Sequence, residues 1–113
     1  GDWYYLVCAE GGTAEGHSQV VLRSRKPDGP YVPWSGNPIL TQRDLPRDRP
    51  NPITSAGHAD LVQLPDGAWA ATFLAVRPYE GDFYNTGRET FLLPVDWSGD
   101  WPVILKRGEA IPY

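Results

Sequence analysis

The sequence is poor in sulfur, in long apolar runs and in helical patterning. It has no methionine and a single cysteine, Cys8, in 113 residues. One cysteine cannot form an internal disulfide, and inside an apolar strand it reads as a small buried residue. No apolar run approaches the ~20 residues of a membrane-spanning helix, and no window repeats apolar residues at i, i+3, i+4 and i+7. These absences argue against a disulfide-stapled domain, a membrane-spanning helix and a mainly helical fold.

Runs of like charge are absent too. Ten Lys and Arg residues stand against fourteen Asp and Glu, which gives a net charge of −4. Nucleic-acid binding depends on clustered Lys and Arg contacts to phosphate, so we expect neither a nucleic-acid nor a membrane partner. No basic start followed by an apolar segment, the pattern of a secretion signal, is visible. The compartment, secreted or cytoplasmic, is therefore left open.

Glycine, proline and aromatic residues are abundant instead. The chain has twelve Gly, twelve Pro, five Trp and six Tyr, and glycine and proline at this density interrupt helices. Its length suits one small domain. The composition predicts an all-β fold with many short strands.

Seven segments are typical of strands. The first, residues 3–10, is apolar and aromatic until it reaches Glu10, and it predicts a strand buried on both faces. Residues 35–57 predict a long connection that Ile39 and Leu40 anchor. The predicted strands are residues 3–10, 17–24, 31–34, 58–64, 69–76, 88–95 and 101–105.

A weak internal repeat organises these strands. An aromatic-led strand, a loop, a second strand and a Gly turn before an edge strand recur at an offset of roughly 70 residues. Two such antiparallel units predict successive blades of a propeller. We expect an incomplete blade without its opening strand over residues 1–40, a connecting loop over 41–57, a complete four-stranded blade over 58–105 and a tail over 106–113.

Several motifs resemble glycoside hydrolase family 43, and its β-xylosidase and α-L-arabinofuranosidase branch in particular. The segments that carry the resemblance are Ala9–Thr13 with His17, Gly57–Val62, Gly87–Val95, Gly29–Tyr31, Asn37–Leu40 and Trp101–Ile104. The resemblance implies a five-bladed β-propeller, of which this chain is the C-terminal two-blade portion. It also implies an inverting glycosidase with three carboxylates: an Asp base, an Asp modulator and a Glu general acid.

The same resemblance assigns roles to residues of this chain. Glu10 takes the position of the general acid, Arg88 that of a substrate-binding arginine, and His58 that of a histidine near the propeller axis. His58 would contact substrate there and, through water, a calcium ion where one binds; no cofactor is required. Thr13 and His17 belong to the Glu10 motif and are expected at the substrate.

The residues alone leave other interpretations open. A strand-end carboxylate such as Glu10 is expensive to bury unless it is paired or protonated, so it is either an acid in an apolar cleft or a partner of an arginine. His58 and Asp60 share one strand face by the period-two rule, but two ligands are too few to define a metal site. Arg88 suits an ion pair or a sugar hydroxyl, and His17 suits a hairpin end.

The chain departs from the family pattern in what it lacks. No Asp here matches the base or the modulator, so we expect poor activity, or none, from this chain alone. The expected ligand is a xylo- or arabino-oligosaccharide, and the sequence does not decide whether the sugar is xylose or arabinose. The alternative is a non-catalytic β module that binds carbohydrate or a protein partner, since Trp34, Phe83 and Tyr84 could stack on sugars or cover the core. Exposed strand edges predict self-association or pairing with a complementary propeller chain.

Overall fold

A computed structural model describes residues 1–80 and 82–113. Within this part the chain is all-β, and the strands are β1 (Tyr4–Glu10), β2 (Ser18–Ser24), β3 (Val32–Pro33), β4 (Leu40–Thr41), β5 (Thr54–Gln63), β6 (Trp69–Val76) and β7 (Glu89–Val95). The same residues contain no helix long and apolar enough to cross a membrane. The all-β prediction is confirmed.

The first sheet is built around β2. Strand β1 pairs with it antiparallel from Tyr4 opposite Ser24 to Glu10 opposite Ser18, and β3 and β4 pair with successive parts of its other edge. The β1–β2 turn needs glycine, because a Cβ on Gly11 would lie 2.0 Å from the carbonyl oxygen of Gly16. Glu10 is thereby fixed at one end of this sheet.

Asn37 continues the free edge of β2 between β3 and β4. Its Oδ1 accepts a hydrogen bond from Val21 N at 2.9 Å, and its Nδ2 donates to Val21 O at 2.8 Å. The amide side chain thus satisfies both backbone groups of a buried residue, as a neighbouring strand would. Trp34 N also donates to Val21 O, and Ile39 N donates to Gln19 O.

The second sheet has the order β5–β6–β7 and is antiparallel. Strands β6 and β7 pair in unbroken register from Trp69 opposite Val95 to Ala75 opposite Glu89. Strand β5 is irregular, with shifts of register against β6 between Thr54 and Gly57 and again between Gly57 and Asp60. These irregularities lie beside the first sheet, at its Glu10 end.

The core lies between the two sheets. Its fully buried side chains include Ile39 and Leu40, which confirms their prediction as anchors of the long connection. The remaining members of the core are Val21, Ile53, Ala56, Ala71, Phe73, Ala75, Val95, Ile104 and Ile111.

The first strand differs from its prediction as a strand buried on both faces. It lies at the end of the first sheet's strand order, and Tyr4 and Leu6 on one of its faces are 49% and 42% exposed. Tyr5 and Val7 on the other face pack against the core. Only one face is buried here, which the composition of the run could not reveal.

The predicted strands at 58–64 and 101–105 also differ from the structure. Strand β5 begins at Thr54, inside the predicted loop, because its early residues pair with β6 despite the bulges. Residues 101–105 form no strand: Val103 makes a single bridge to Asp96, and the next two amides donate to Ile39 O in the first unit. Within the described residues, the second sheet therefore has three strands where four were predicted.

Aromatic rings join the two units at the end of the sheets away from Glu10. Tyr5 meets Trp97 edge to face with ring centroids 5.1 Å apart, and Trp34 stacks on Trp101 at 5.9 Å. Trp69 also contacts Trp97 at 4.8 Å. We call this cluster of Tyr5, Trp34, Trp69, Trp97 and Trp101 the aromatic end, and the region around Glu10 the polar end.

Candidate functional site

Glu10 ends strand β1 with a half-exposed side chain, 49% of which is accessible. Its Oε1 accepts a hydrogen bond from Ser18 Oγ at 3.3 Å and lies 3.7 Å from Arg43 Nη1. Arg43 Nη1 also donates to Ser18 Oγ at 3.3 Å. One carboxylate oxygen is therefore held by a hydroxyl and a cation, while the group as a whole reaches solvent. Its pairing with an arginine is the interpretation that the residues alone had left open beside that of an acid.

His17 lies beneath this surface. Its side chain is buried, with 2% exposed, and its Nδ1 lies 3.0 Å from Ser55 O. The other edge of the ring meets Gly57, where an added Cβ would come within 2.5 Å of Nε2. The ring thus occupies the space that a side chain at position 57 would need. This position supports a role in holding β5, and the contact of His17 with substrate stays a prediction.

Strand β5 has a distorted backbone where His17 holds it. Ser55 and His58 have φ values of 58° and 57°, in the left-handed region that costs a residue with a side chain on the order of 1–2 kcal/mol. Gln19 Oε1 accepts a hydrogen bond from Ala59 N at 3.0 Å, directly after His58. Strained, well-supported residues of this kind cluster at functional sites. His58 is the exposed residue that the distortion presents.

The distortion also affects the prediction that the side chains of His58 and Asp60 share one face of a strand. The period-two rule assumes a regular strand, but a register shift and the left-handed φ intervene. Among the described residues, no three His, Cys, Asp or Glu side chains are grouped as a metal site would require. Calcium takes six to eight oxygen ligands, so these residues by themselves do not build such a site.

Arg88 lies at the same end of the fold as Glu10. It comes directly before Glu89, the first residue of β7, which pairs with Ala75 near the end of β6. The next residue of β6, Val76, pairs with Thr54 at the start of β5. Arg88 is exposed and forms no ion pair with any residue that the structure describes. The alternative of an ion-pair partner therefore finds no support in this part of the chain.

The neighbouring carboxylate is neutralised by another residue. Arg77 Nε donates to Glu89 Oε1 at 3.0 Å, and its Nη2 pairs with Oε2. The hydrogen bond from Arg77 holds the pKa of Glu89 below its ordinary value, and Glu89 in turn raises the pKa of Arg77. Glu89 is thus satisfied without Arg88.

The glycine loop after β1 carries Thr13 and Glu15. Thr13 is exposed, and its predicted contact with substrate stays a prediction. Glu15 Oε1 lies 2.5 Å from Arg47 Nη2, which also pairs with Asp82 at 2.9 Å. Tyr84 Oη donates to Glu15 at 3.4 Å. The long connection and the loop before β7 therefore meet the Glu10 loop through this charged cluster.

The loop aromatics divide between the two predicted roles. Trp34 covers the core and stacks on Trp101, and Tyr84 is hydrogen-bonded to the Glu10 loop. Phe83 is 63% exposed. Of these three rings, only that of Phe83 is mostly exposed to solvent, as a sugar-stacking residue would be.

Sequence reasoning missed the residues that surround Glu10 and His58. Arg43 and Arg47 come from the long connection, and no local pattern distinguishes them from other surface arginines. Gln19 carried a usable signal, since Ser18 and Gln19 are polar residues at the start of an otherwise apolar strand and both are fully buried. Buried polar side chains need partners, and here those partners belong to the site.

Two antiparallel sheets packed as adjacent blades, with a carboxylate and a strained histidine at one end, are typical of a β-propeller with a site at one of its faces. Residues 1–102 match the profile of the glycosyl hydrolases family 43. The chain belongs to this family, and its two sheets are part of a five-bladed propeller.

Named relatives agree with this assignment. The chain is 49% identical over 109 residues to the non-reducing end α-L-arabinofuranosidase BoGH43B of Bacteroides ovatus, covering 96% of this chain and 20% of that protein. It is 35% identical over 119 residues to a β-xylosidase of Bacillus subtilis, covering 97% and 22%. Among solved structures, the xyloglucan-locus GH43B of Bacteroides ovatus matches with a TM-score of 0.87 and 48% identity, over 97% of this chain and 21% of that one. The chain spans about a fifth of the length of the curated relatives it matches.

Proposed function

We propose that this chain is the portion of an inverting glycosidase that carries the general acid, Glu10, and that the parent protein acts on xylan- or arabinan-derived glycosides. The observation that carries the proposal is the position of Glu10: a half-exposed carboxyl group at the end of β1, followed by the glycine loop and beside the distorted β5. The names of the relatives, an arabinofuranosidase and a β-xylosidase, support the substrate class.

In this proposal Glu10 donates its proton to the glycosidic oxygen as the bond to the anomeric carbon breaks. A water molecule attacks that carbon from the opposite face, and a carboxylate base takes the proton of the water. Inverting enzymes place the two carboxyl groups ~6.5–9.5 Å apart to admit the water. We place the Asp base and the Asp modulator outside this chain, so the chain alone is expected to be inactive or nearly so.

Arg88, His58 and Thr13 would hold the sugar beside Glu10. The guanidinium group of Arg88 and the exposed ring of His58 are suited to donating hydrogen bonds to hydroxyl groups, and neither is committed to an ion pair among the described residues. A calcium ion at the propeller axis would reach His58 through water and take its other ligands from elsewhere in the propeller.

The decisive experiment compares Glu10→Gln with Asp28→Asn in the parent protein. Asp28 is an exposed carboxylate in a turn beyond the opposite end of β2, which makes it a matched control. For xylobiose, a substrate with a poor leaving group, Glu10→Gln should lower kcat by about 10²–10⁴-fold. For a nitrophenyl xyloside, which needs less protonation of the leaving oxygen, the loss should be much smaller. Equal losses on the two substrates would overturn the role as general acid.

The isolated chain provides a second test. It should release no nitrophenol from xyloside or arabinofuranoside substrates above background, because the base lies elsewhere. Turnover close to that of an intact glycosidase, abolished by Glu10→Gln, would show that the base is in this chain.

A non-catalytic carbohydrate-binding module is the second candidate, and the exposed ring of Phe83 favours it. Micromolar binding of xylo-oligosaccharides that Phe83→Ala removes and Glu10→Gln leaves unchanged would favour the module over the catalytic portion.

We also propose that the isolated chain self-associates through β1. This strand ends the first sheet and exposes Tyr4 and Leu6, and unpaired strand edges recruit further strands. Light scattering should show a mass that rises with concentration, and Leu6→Lys should reduce it. A monomer at millimolar concentration would contradict this proposal.

A further inference from the structure

A cavity lies at the end of β1 and β2 opposite to Glu10. It has a volume of about 430 Å³ and is lined mainly by Trp3, Arg23, Arg25, Lys26, Pro30 and Trp101. Tyr4 pairs with Ser24 at this end, whereas Glu10 pairs with Ser18 at the other. Six residue steps of a strand at about 3.4 Å each separate the two places by about 20 Å. The cavity is therefore distinct from the polar end.

Two tryptophans hold the guanidinium group of Arg23 in this cavity. The Cζ atom of Arg23 lies 4.0 Å from the ring centroid of Trp3 and 4.3 Å from that of Trp101, while Arg25 Cζ lies 3.8 Å from Trp3. Arg23 is largely buried, with 18% of its side chain exposed. Rings against its flat faces leave the N–H edge of the group for further contacts.

That edge makes few contacts within the described residues and reaches solvent, since no buried side-chain nitrogen there lacks a partner. A guanidinium group has five N–H donors, yet Arg23 makes one hydrogen bond, from Nη1 to Asp100 O at 3.5 Å. Its nearest carboxylate, that of Asp100, is 4.0 Å away and mostly exposed. Arg25 has a similar weak pairing with Asp2 at 3.9 Å. In a chain with a net charge of −4, this is a local concentration of cations whose anionic partners, Asp2 and Asp100, lie at the outer limit of ion pairing and are mostly exposed.

Cation–π packing alone would also explain why Arg23 lies between two tryptophans. It does not explain the third cation, Lys26, at the same cavity, nor the donors left without close acceptors. A planar carboxylate matches the forked edge of an arginine in two parallel hydrogen bonds. The apolar remainder of the wall, with Pro30 and the exposed Val32, suits the C–H face of a ring better than it suits a small hydrated anion.

We propose that this cavity binds a uronic acid unit, with the carboxylate on Arg23 and Arg25 and the sugar ring against Pro30 and Val32. The carboxylate follows from the cations and the ring from the apolar wall. The choice of a sugar as the carrier of the carboxylate rests on the proposed function. The site would let the protein hold an acidic branch of a polysaccharide without using the polar end.

The test is a titration of the chain with methyl glucuronide and with methyl glucoside. The two compounds differ only in that the first has a carboxylate where the second has a hydroxymethyl group. Calorimetry measures the affinity, and the indole N–H signals in magnetic resonance spectra report the tryptophans. Methyl glucuronide should bind at least about tenfold more tightly than methyl glucoside, a difference of about 1.4 kcal/mol, and rising salt should weaken it.

Two variants and one control locate the binding. Arg23→Lys keeps the charge but loses the forked edge and should weaken binding at least about fivefold. Arg25→Gln, at an exposed position, should weaken it about threefold and carries the test where Arg23→Lys fails to fold. Arg107→Gln removes the same charge from an arginine paired with Asp44 and should have no effect.

Several outcomes would overturn the proposal. Equal affinity for the two glycosides, no binding of either at 50 mM, or binding that both cavity variants leave unchanged would each do so. Phosphate that binds as tightly as methyl glucuronide would make the cavity a general anion site. Failure here would leave the proposed function standing, because the measurement does not involve Glu10, whereas loss of the role of Glu10 would leave glucuronide binding intact.

Discussion

The two ends of the sheet pair are built on different principles. At the aromatic end the strands keep a regular register, and rings from both units pack edge to face or stacked. At the polar end β5 is bulged and strained, and its contacts with the first sheet include the hydrogen bond between His17 and Ser55 O and the one that Ala59 N donates to Gln19 Oε1. The aromatic end therefore holds the two sheets together, whereas the polar end presents Glu10 and His58, the latter on a strained backbone.

Magnitudes support this division. An aromatic pair contributes about 0.5–1.5 kcal/mol beyond its burial, and the aromatic end has several such pairs. The left-handed conformation of His58 costs on the order of 1–2 kcal/mol. The partly exposed pair of Arg43 and Glu10 contributes about 0–1 kcal/mol. The polar end therefore adds little net stability.

Trp101→Ala should have the largest effect on stability, because it removes a ring from the centre of the aromatic end. The ring packs on Trp34, Tyr5 and Arg23, so its loss should lower the free energy of unfolding by about 3 kcal/mol. Urea unfolding measures the change, and Tyr113→Ala, at a largely exposed ring, is the control. A loss below about 1 kcal/mol would mean that the rings do not join the two units.

Gly57→Ala probes the polar end through sterics. The new Cβ would overlap the buried ring of His17 at 2.5 Å, and such overpacking costs about 2 kcal/mol. The double variant with His17→Ala tests the cause, because removing the ring makes room for the methyl group. The two changes together should cost at least about 1 kcal/mol less than the sum of the single changes. Additive costs would locate the strain elsewhere.

Acid should weaken the polar end slightly. The hydrogen bond from Arg107 holds the pKa of Asp44 below its ordinary value, so the unfolded state binds this proton more readily than the folded state. The contribution of Asp44 to stability is then complete above the unfolded pKa, about 3.9, and is lost as pH falls through the lower folded pKa. Solvent screening keeps the effect small.

The check on Asp44 is urea unfolding between pH 2 and pH 6. Asp44→Asn should flatten the dependence on pH in the acidic range, whereas Asp28→Asn, in an exposed turn, should not. An unchanged slope in the Asp44 variant would contradict the pairing with Arg107.

Glu10→Gln should have the smallest effect on stability. The side chain is half exposed and its cation is 3.7 Å away, so the free energy of unfolding should change by no more than about 0.5 kcal/mol. If Glu10 is a catalytic residue, Glu10→Gln should leave the free energy of unfolding nearly unchanged while the parent protein loses activity. A loss of 2 kcal/mol or more would instead make Glu10 a structural residue.

Much of the fold could be read from the sequence because local patterns decide it. The strands at 4–10, 18–24, 69–76 and 89–95 fall within one residue of their predicted bounds. The start of β5 and the loss of the strand at 101–105 could not be read, since both depend on distant partners. Val103 bonds to Asp96, while the amides after it bond to Ile39 O, and no local propensity encodes that choice.

The candidate site was predictable to the same extent. The motifs place Glu10 at the end of β1 and Arg88 directly before β7, and the structure has both strands with these bounds; the roles of the two residues stay predictions. Arg43 comes from an irregular connection, whose path is set by tertiary contacts such as those of the buried Gln42, which bonds to Glu109 O and Ile111 N. The burial of His17 was equally hidden, because a histidine at a hairpin end reads as exposed until the second sheet covers it.

The contact between His17 and Gly57 also constrains how this protein can evolve. An imidazole fills the volume that any side chain at position 57 would claim, so position 57 can gain a side chain only where the ring at position 17 is gone. A lineage that gains a side chain at 57 should first have lost the ring at 17. The two positions, forty residues apart in the chain, are expected to covary as one heritable unit.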